Sequence, residues 1–173
     1  MSTWGIDNGV IREYGGIITT ARMIGAQSSI AASSVAWNSA NYAVYVPLLL
    51  ATSVTVYKIT MGDGTLTGGN FDVGIYNSIG TKLVSSGATA RAGASQEQVI
   101  DITDTVIGPG LYYVAMSADG TNNYIMINST NTQLTRMCGV LGQASAYTLP
   151  ATATFAAASQ SRIPALALHV RSY

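Results

Sequence analysis

Hydrophobic side chains alternate with polar or small ones along several short segments of this chain. Residues 71–75 follow this pattern, and a turn-forming Asn-Ser-Ile-Gly sequence separates them from an apolar run at 82–85. Near the C-terminus, Leu166, Leu168 and Val170 fall on one side of an alternating segment. A period of two residues is typical of β-strands that bury one face. The pattern therefore predicts a hairpin over 71–85 and a half-buried C-terminal strand.

A second hairpin is predicted in the following third of the chain. Residues 111–116 alternate, Asp119-Gly120 is a dipeptide favoured in hairpin turns, and Tyr124–Asn128 supplies a return strand. Glycine-rich turn sequences separate further strands, which we expect at 42–49, 53–61, 98–103 and 134–141. Short strands at this spacing indicate an all-β protein, a sandwich or a barrel.

The first 40 residues do not share this pattern. Thr20–Ala36 is the only helix candidate, and Ser and Gly interrupt its partial periodicity. We interpret residues 1–40 as an N-terminal arm and 41–173 as the β-sandwich domain, although an ordinary first strand plus loop fits equally well. The arm supplies the candidate residues for a partner interface, which are Trp4, Ile6, Arg12 and Tyr14.

Charge is scarce, which narrows the classes of protein to consider. Only 9% of residues are charged, and eight Lys+Arg balance eight Asp+Glu, whereas about 25% is usual. Disordered proteins usually combine low hydrophobicity with high net charge, and nucleic-acid-binding proteins carry a cluster of basic residues. This chain has neither property, so both classes are excluded. A neutral surface favours association, so we expect a homo-oligomer and contacts with other proteins. With two lysines, Lys58 and Lys82, we also expect neighbouring chains to cover the sheet edges.

Residues that could carry out catalysis are few. His169 is the single histidine and falls opposite the apolar face of its strand, so no Ser or Cys has an evident base. Asp101 and Asp104 are the one close carboxylate pair, and Asp104 precedes a Gly-Pro-Gly turn, which favours a turn-stabilising contact. We predict no catalytic residues, no metal site, no cofactor and no enzymatic activity.

Cysteine and targeting signals add little. The single cysteine, Cys138, excludes an intrachain disulfide and a cysteine-rich zinc site, and its apolar neighbours predict a buried thiol. The N-terminus lacks a signal-peptide pattern, and the longest apolar stretch, 44–51, is well short of the roughly 20 residues that span a bilayer. We expect a soluble protein made in a cytoplasm.

The ten tyrosines suggest a binding surface. Because Tyr112 and Tyr113 are adjacent in a predicted strand, one of them must point outward. An outward tyrosine stacks on sugars or contributes to a protein interface. The alternative is a mixed role in the core and at its rim.

Three segments together resemble a known kind of module. They are GGNFDVGIYNSIGTKLVSSGAT (68–89), IGPGLYYVAMSADGT (107–121) and LPATATFAAASQSRIPALALHV (149–170). These resemble the jelly-roll β-sandwich modules of tailed-bacteriophage virion proteins, which occur in tail fibres, receptor-binding appendages and head decoration proteins. The resemblance covers roughly residues 40–173 and implies a jelly-roll-like antiparallel sandwich with an N-terminal arm. No catalytic motif of those modules maps onto this sequence.

The resemblance implies two functions. A single module with an arm is most similar to a capsid decoration (cement) protein on the outer surface of the virion, whose partners are the major capsid protein or other virion proteins and copies of itself. The alternative is a tail- or head-fibre protein that binds a host-surface carbohydrate or receptor, for which asparagine-rich turns (Asn122, Asn123, Asn131) add support. A non-viral carbohydrate-binding module is a third possibility. None of these involves nucleic acid or a membrane.

Overall fold

The computed structural model describes residues 5–7, 10–12, 16–19, 32–66, 68–128 and 131–172. The strands in these ranges are β1 (Gly5–Asp7), β2 (Val10–Arg12), β3 (Gly16–Thr19), β4 (Ala32–Ala36), β5 (Tyr42–Leu50), β6 (Val54–Gly62), β7 (Asn70–Asn77), β8 (Lys82–Ser85), β9 (Thr89–Ala90), β10 (Glu97–Ile107), β11 (Gly110–Ala118), β12 (Asn123–Asn128), β13 (Leu141–Gln143), β14 (Ala156–Ala157), β15 (Arg162–Pro164) and β16 (Leu166–Ser172). One short helix, α1 (Thr132–Met137), lies between β12 and β13.

Two antiparallel sheets form the body of the molecule. The smaller sheet has the order β10-β6-β16-β3, and the larger has the order β14-β13-β5-β11-β7-β8, with β9 also paired to β7. When β3, β5, β6, β7, β8, β10, β11 and β16 are lettered B to I along the chain, the sheets become B-I-D-G and C-H-E-F. This is the strand order of a jelly roll, a sandwich of eight strands in two Greek keys. The predicted all-β antiparallel sandwich is confirmed.

The core lies between these two sheets and follows the predicted alternation. In β16, Leu166, Leu168 and Val170 are at most 2% exposed, whereas the intervening His169 is half-buried. The larger sheet contributes Phe71, Val73 and other inward apolar side chains to the same cluster. Cys138 is half-buried and packs against it.

The two ends of the sandwich differ. At one end, which we call the short-turn end, the connections are the brief turns 51–53, 78–81 and 108–109. At the opposite end, which we call the loop end, the connections are long. Two of these connections, from β3 to β5 and from β11 to β16, supply all strands of a third sheet, which has the order β15-β12-β4.

The predicted hairpin over 71–85 is confirmed, because β7 pairs with β8. The second predicted hairpin is wrong: β12 pairs with β4 and β15 and not with β11. Both edges of β11 are already occupied, by β5 and by β7, so it has no free edge for a return strand. Asp119 does not reverse the chain but accepts hydrogen bonds from the backbone and side-chain nitrogens of Asn70, at 3.0 and 2.8 Å.

The strand expected at 134–141 is also wrong, since most of this segment belongs to α1 and the turn after it. Asn131 caps this helix by accepting a hydrogen bond from the Leu134 amide at 3.0 Å, the usual role of Asn before a helix. The helix candidate Thr20–Ala36 ends in strand β4, and residues 20–31 of it lie outside the described residues.

Part of the predicted arm belongs to the sandwich. β3 pairs with β16, and β4 pairs with β12, so the proposed boundary at residue 40 separates strands from their partners. The reason is that β3 and β4 are short, weakly patterned strands whose pairing partners, β16 and β12, lie in the C-terminal third of the chain. An arm that precedes the sheets is therefore limited to residues 1–15, and its role stays a prediction.

The sheet edges have protection of their own. β10, the long edge strand of the smaller sheet, exposes the carboxylates of Glu97, Asp101 and Asp104 and contains a bulge between Asp101 and Thr105. The outermost strands of the larger sheet, β14 and β8, have two and four residues. Charges, bulges and short edge strands all oppose edge-to-edge pairing. The expected need for neighbouring chains at these edges is therefore not supported.

Candidate functional site

The outer face of the larger sheet carries three tyrosines, and the chain itself covers them. Tyr45 and Tyr76 are fully buried there, and Tyr113 packs beside them in a second apolar cluster. Phe155 lies over this cluster, with ring centroids 5.1 Å from Tyr45 and 4.7 Å from Tyr113. Tyr113 is thus the outward member of the Tyr112–Tyr113 pair, but it contacts Phe155 instead of being open to a ligand.

Polar contacts hold the covering segment, residues 144–155, in place. The Tyr76 hydroxyl donates to the Pro150 carbonyl at 2.5 Å, and the Lys82 ammonium donates to the Leu149 carbonyl at 2.7 Å. The buried Asp72 carboxylate accepts the Leu149 amide at 3.0 Å. Burial raises the pKa of Asp72, and the hydrogen bond from Leu149 opposes that rise. This face is therefore an internal layer of the protein.

The asparagine-rich turns also have structural roles. The Asn122 amide donates to the Gly68 carbonyl at 2.8 Å, and the Asn123 carbonyl accepts from Arg91 at 2.9 Å. Asn131 is the helix cap described above. Asn122 and Asn131 therefore have structural roles through their side chains, whereas Asn123 contributes through its backbone carbonyl.

A buried ion pair joins the long connections at the loop end. Arg91 Nε lies 2.7 Å from Asp63 Oδ1, and both side chains have no exposed surface. The guanidinium carbon lies 4.8 Å from the ring centroid of Tyr124, in a cation–π contact. Burial raises the pKa of the Tyr124 hydroxyl, which stays protonated at neutral pH. Sequence patterning did not predict this cluster, although Asp63 and Arg91 are isolated opposite charges in two glycine-rich turns.

The outer face of the smaller sheet carries the remaining residues that were considered as candidates for catalysis, His169 and Asp104. His169 Nε2 and Thr60 Oγ1 are hydrogen-bonded at 2.7 Å, and Asp104 forms an exposed ion pair with Arg171. Asp104 lies inside β10, so the predicted turn-stabilising contact is wrong. Tyr57 lies among these groups, 6.1 Å from the His169 ring and 5.5 Å from the Arg171 guanidinium.

The described residues hold no group of three or more His, Cys, Asp or Glu side chains able to bind a metal ion. In the same residues, no helix is both long and apolar enough for a membrane span.

Large apolar side chains are exposed around the short-turn end. Leu49 is 79% exposed and Leu111 is 40% exposed, and they are direct cross-strand partners on the outer face of the larger sheet. Ile79, in the turn between β7 and β8, is 80% exposed. The register pairs Tyr112 with Asn77, so Leu111 lies level with the start of that turn. We call Leu49, Ile79 and Leu111 the end patch.

Met137, the last residue of α1, is 83% exposed. It is followed after one residue by Gly139, which has a φ of +74° and lies so close to Pro47 that an added Cβ would be 3.3 Å from the ring. Glycine tolerates both the left-handed backbone and this close approach. The end of α1 is thereby held against the strand that carries Leu49.

Two of the four predicted interface residues lie on a separate β-hairpin. Ile6 of β1 is the register partner of Ile11 of β2, and Arg12 is the partner of Gly5. Among the described residues this hairpin forms a two-stranded sheet that pairs with no other strand. Trp4 and Tyr14 lie outside the described residues. That these four residues form an interface stays a prediction.

The hairpin and the end patch lie toward the same end of the sandwich. Gly16, where β3 begins, pairs with Val170, which in turn pairs with Val56, close to the turn at 51–53. The chain before β3 therefore leaves the sandwich at the short-turn end. The start of β3, to which the predicted arm connects, thus lies at the same end as an exposed apolar surface that sequence patterning did not reveal.

Comparison with known proteins yields distant likenesses. No family model and no curated protein matches this chain. The chain is similar to VP2 of infectious bursal disease virus in its subviral particle, with 10% identity and a TM-score of 0.38, over 98% of this chain and 45% of that chain. The T13 particle of the same virus gives 11% identity and a TM-score of 0.33, over 98% and 43%. This chain spans less than half the length of those proteins, and TM-scores this low carry no argument about fold or function.

Proposed function

We propose that this protein is a non-enzymatic structural component of a bacteriophage virion, a decoration (cement) protein on the outer surface of the head. The observation that carries the proposal is the short-turn end of the jelly roll, where the exposed end patch lies and where the strand that follows the N-terminal hairpin begins. The resemblance of residues 40–173 to phage virion modules, stated above, supports a place in a virion. The partners are the major capsid protein or another virion protein, together with copies of this chain.

The proposed contact at the end patch is made by apolar side chains and involves no catalytic reaction. Burying an exposed leucine or isoleucine contributes about 1.5–3 kcal/mol, so Leu49 and Ile79 together supply a useful part of a protein interface. The end patch itself contains no charged residue, and Lys82, the cation nearest to it in sequence, donates a hydrogen bond to the Leu149 carbonyl. Charged residues are depleted at the centre of protein interfaces. A surface that other subunits cover would therefore account for the low charge of the whole chain.

A reconstitution experiment tests this function. Purified full-length protein, added to phage heads that lack it, is expected to occupy symmetry-related positions on the outer head surface in an electron-microscopy reconstruction. Deleting residues 1–15, which precede β3, is expected to weaken binding at least about tenfold, or 1.4 kcal/mol, and to leave the circular dichroism of the sandwich unchanged. A Tyr57→Ala variant serves as the control and should bind heads normally. Density on the tail, or no retention on heads, would contradict the proposal.

A second candidate function is binding of a host-surface carbohydrate, and the Tyr57 face favours it. Tyr57 is a half-buried outer-face tyrosine surrounded by groups that recognise hydroxyl pairs: Lys58, His169 and the Arg171–Asp104 ion pair. Lys58, Arg171 and Asp104 together carry one net positive charge, which suits a neutral or an acidic sugar. On a glycan array, the full chain would then retain a host glycan and Tyr57→Ala would lose it. Equal retention by Tyr57→Ala, or no retention by either protein, argues against this function.

A further inference from the structure

We propose that the end patch is covered by the N-terminal hairpin of a second copy of this chain, so that two copies meet at their short-turn ends. This inference rests on the proposed function, whose partners include copies of this chain. It assigns the end patch to the contact between copies and not to the contact with the capsid protein, and its test uses the free protein. The inference depends on the hairpin, on the end patch and on the geometry that joins them.

The hairpin needs a partner. β1 and β2 have three residues each, and among the described residues they pair only with each other. An isolated two-stranded hairpin is marginally stable in water, and packing on another surface stabilises it. The Ile6–Ile11 register pair gives this hairpin apolar content for such packing.

The hairpin of the same copy does not cover the end patch. Leu49 and Ile79 are 79% and 80% exposed in a chain that includes its own hairpin. Only residues 13–15 connect β2 to β3, which limits the distance from Arg12 to Gly16 to about 14 Å. The hairpin therefore stays near the short-turn end and lies within reach of any molecule that docks there.

A second copy suits this surface better than a charged partner. The residues of the end patch are apolar, and the hairpin strands contain one acid, Asp7, and one base, Arg12. Two identical ends can therefore meet without repulsion between like charges. A two-fold contact uses the same surface on both copies, so each hairpin reaches the end patch of the other copy and both apolar surfaces are buried at once.

Sedimentation of the full-length chain at about 0.1 mM tests the inference, because any Kd below that concentration gives a majority of dimer. We expect a dimer for the native chain and at least a tenfold weaker association for Leu49→Asp and for Ile6→Asp. Val99→Asp is the matched control, since Val99 is 54% exposed but lies on the outer face of the other sheet, and it should dimerise normally. A monomeric native chain, or unchanged dimerisation of both variants, would overturn the inference.

Cross-linking distinguishes the second copy from the chain's own hairpin. In a Cys138→Ala background, Ile6→Cys and Leu111→Cys are placed in one chain and joined with a short bifunctional thiol reagent. A covalent dimer supports exchange between copies, whereas an internally cross-linked monomer shows that the chain's own hairpin covers the end patch and overturns the inference. Head binding by a native chain that stays monomeric in solution would reject the inference alone. A dimer that fails to bind heads would reject the proposed function alone.

Discussion

Replacing Arg91 by methionine is expected to lower the free energy of unfolding by about 3–5 kcal/mol, because it leaves the Asp63 carboxylate buried without its counter-charge. The same change removes the hydrogen bond to the Asn123 carbonyl and the cation–π contact with Tyr124. Urea unfolding followed by circular dichroism measures the loss. We expect it to be the largest effect of any single charge removal in the described part of the chain.

The exposed ion pair provides a matched control for this experiment. Arg171 and Asp104 are more than half exposed, and exposed pairs contribute about 0–1 kcal/mol. Arg171→Met should therefore cost at most about 1 kcal/mol. If Arg91→Met and Arg171→Met destabilise the protein equally, the loop end does not depend on a buried ion pair. The double variant Asp63→Leu/Arg91→Met should recover part of the loss, since no unpaired charge then remains.

Replacing Phe155 by alanine is expected to lower the free energy of unfolding by about 2–3 kcal/mol. This is less than for a fully buried phenylalanine, because Phe155 is half-buried. The change removes the ring that covers Tyr45 and Tyr113, so it should also expose the outer face of the larger sheet. Binding of a hydrophobic dye to the folded variant would report that exposure.

The control for Phe155→Ala is Val99→Ala, an exposed position where a change within about 0.5 kcal/mol is expected. If Phe155→Ala leaves both stability and dye binding unchanged, residues 144–155 are not an integral layer of the sandwich. In that case the tyrosines of this face would again be candidates for ligand contact.

The paired tyrosines show how far sequence patterning reaches. Alternation required that Tyr112 and Tyr113 point to opposite faces, and they do. Alternation is a property of a single strand. It therefore could not predict that residues 144–155, which lie further along the chain, cover Tyr113. The outward direction was predictable, but the exposure was not.

The hairpin expected after β11 failed for a related reason. Asp119-Gly120 is a sound local signal for a turn, but pairing depends on a free strand edge. β5 and β7 occupy both edges of β11, and β5 lies more than 60 residues earlier in the chain. A local turn signal cannot predict that a distant strand will occupy the edge that the return strand would need.

The sequence by itself determined the all-β class, the inward faces of β7 and β16, and a chain with few charges for catalysis. These follow from period-two alternation and from composition, which are properties of neighbouring residues. Only the tertiary structure decided that the jelly roll has a loop end closed by the Arg91–Asp63 ion pair and a short-turn end with exposed Leu49 and Ile79. The physical reason is that each of these features joins residues that are distant along the chain. Strand order, and not local pattern, brings such residues together.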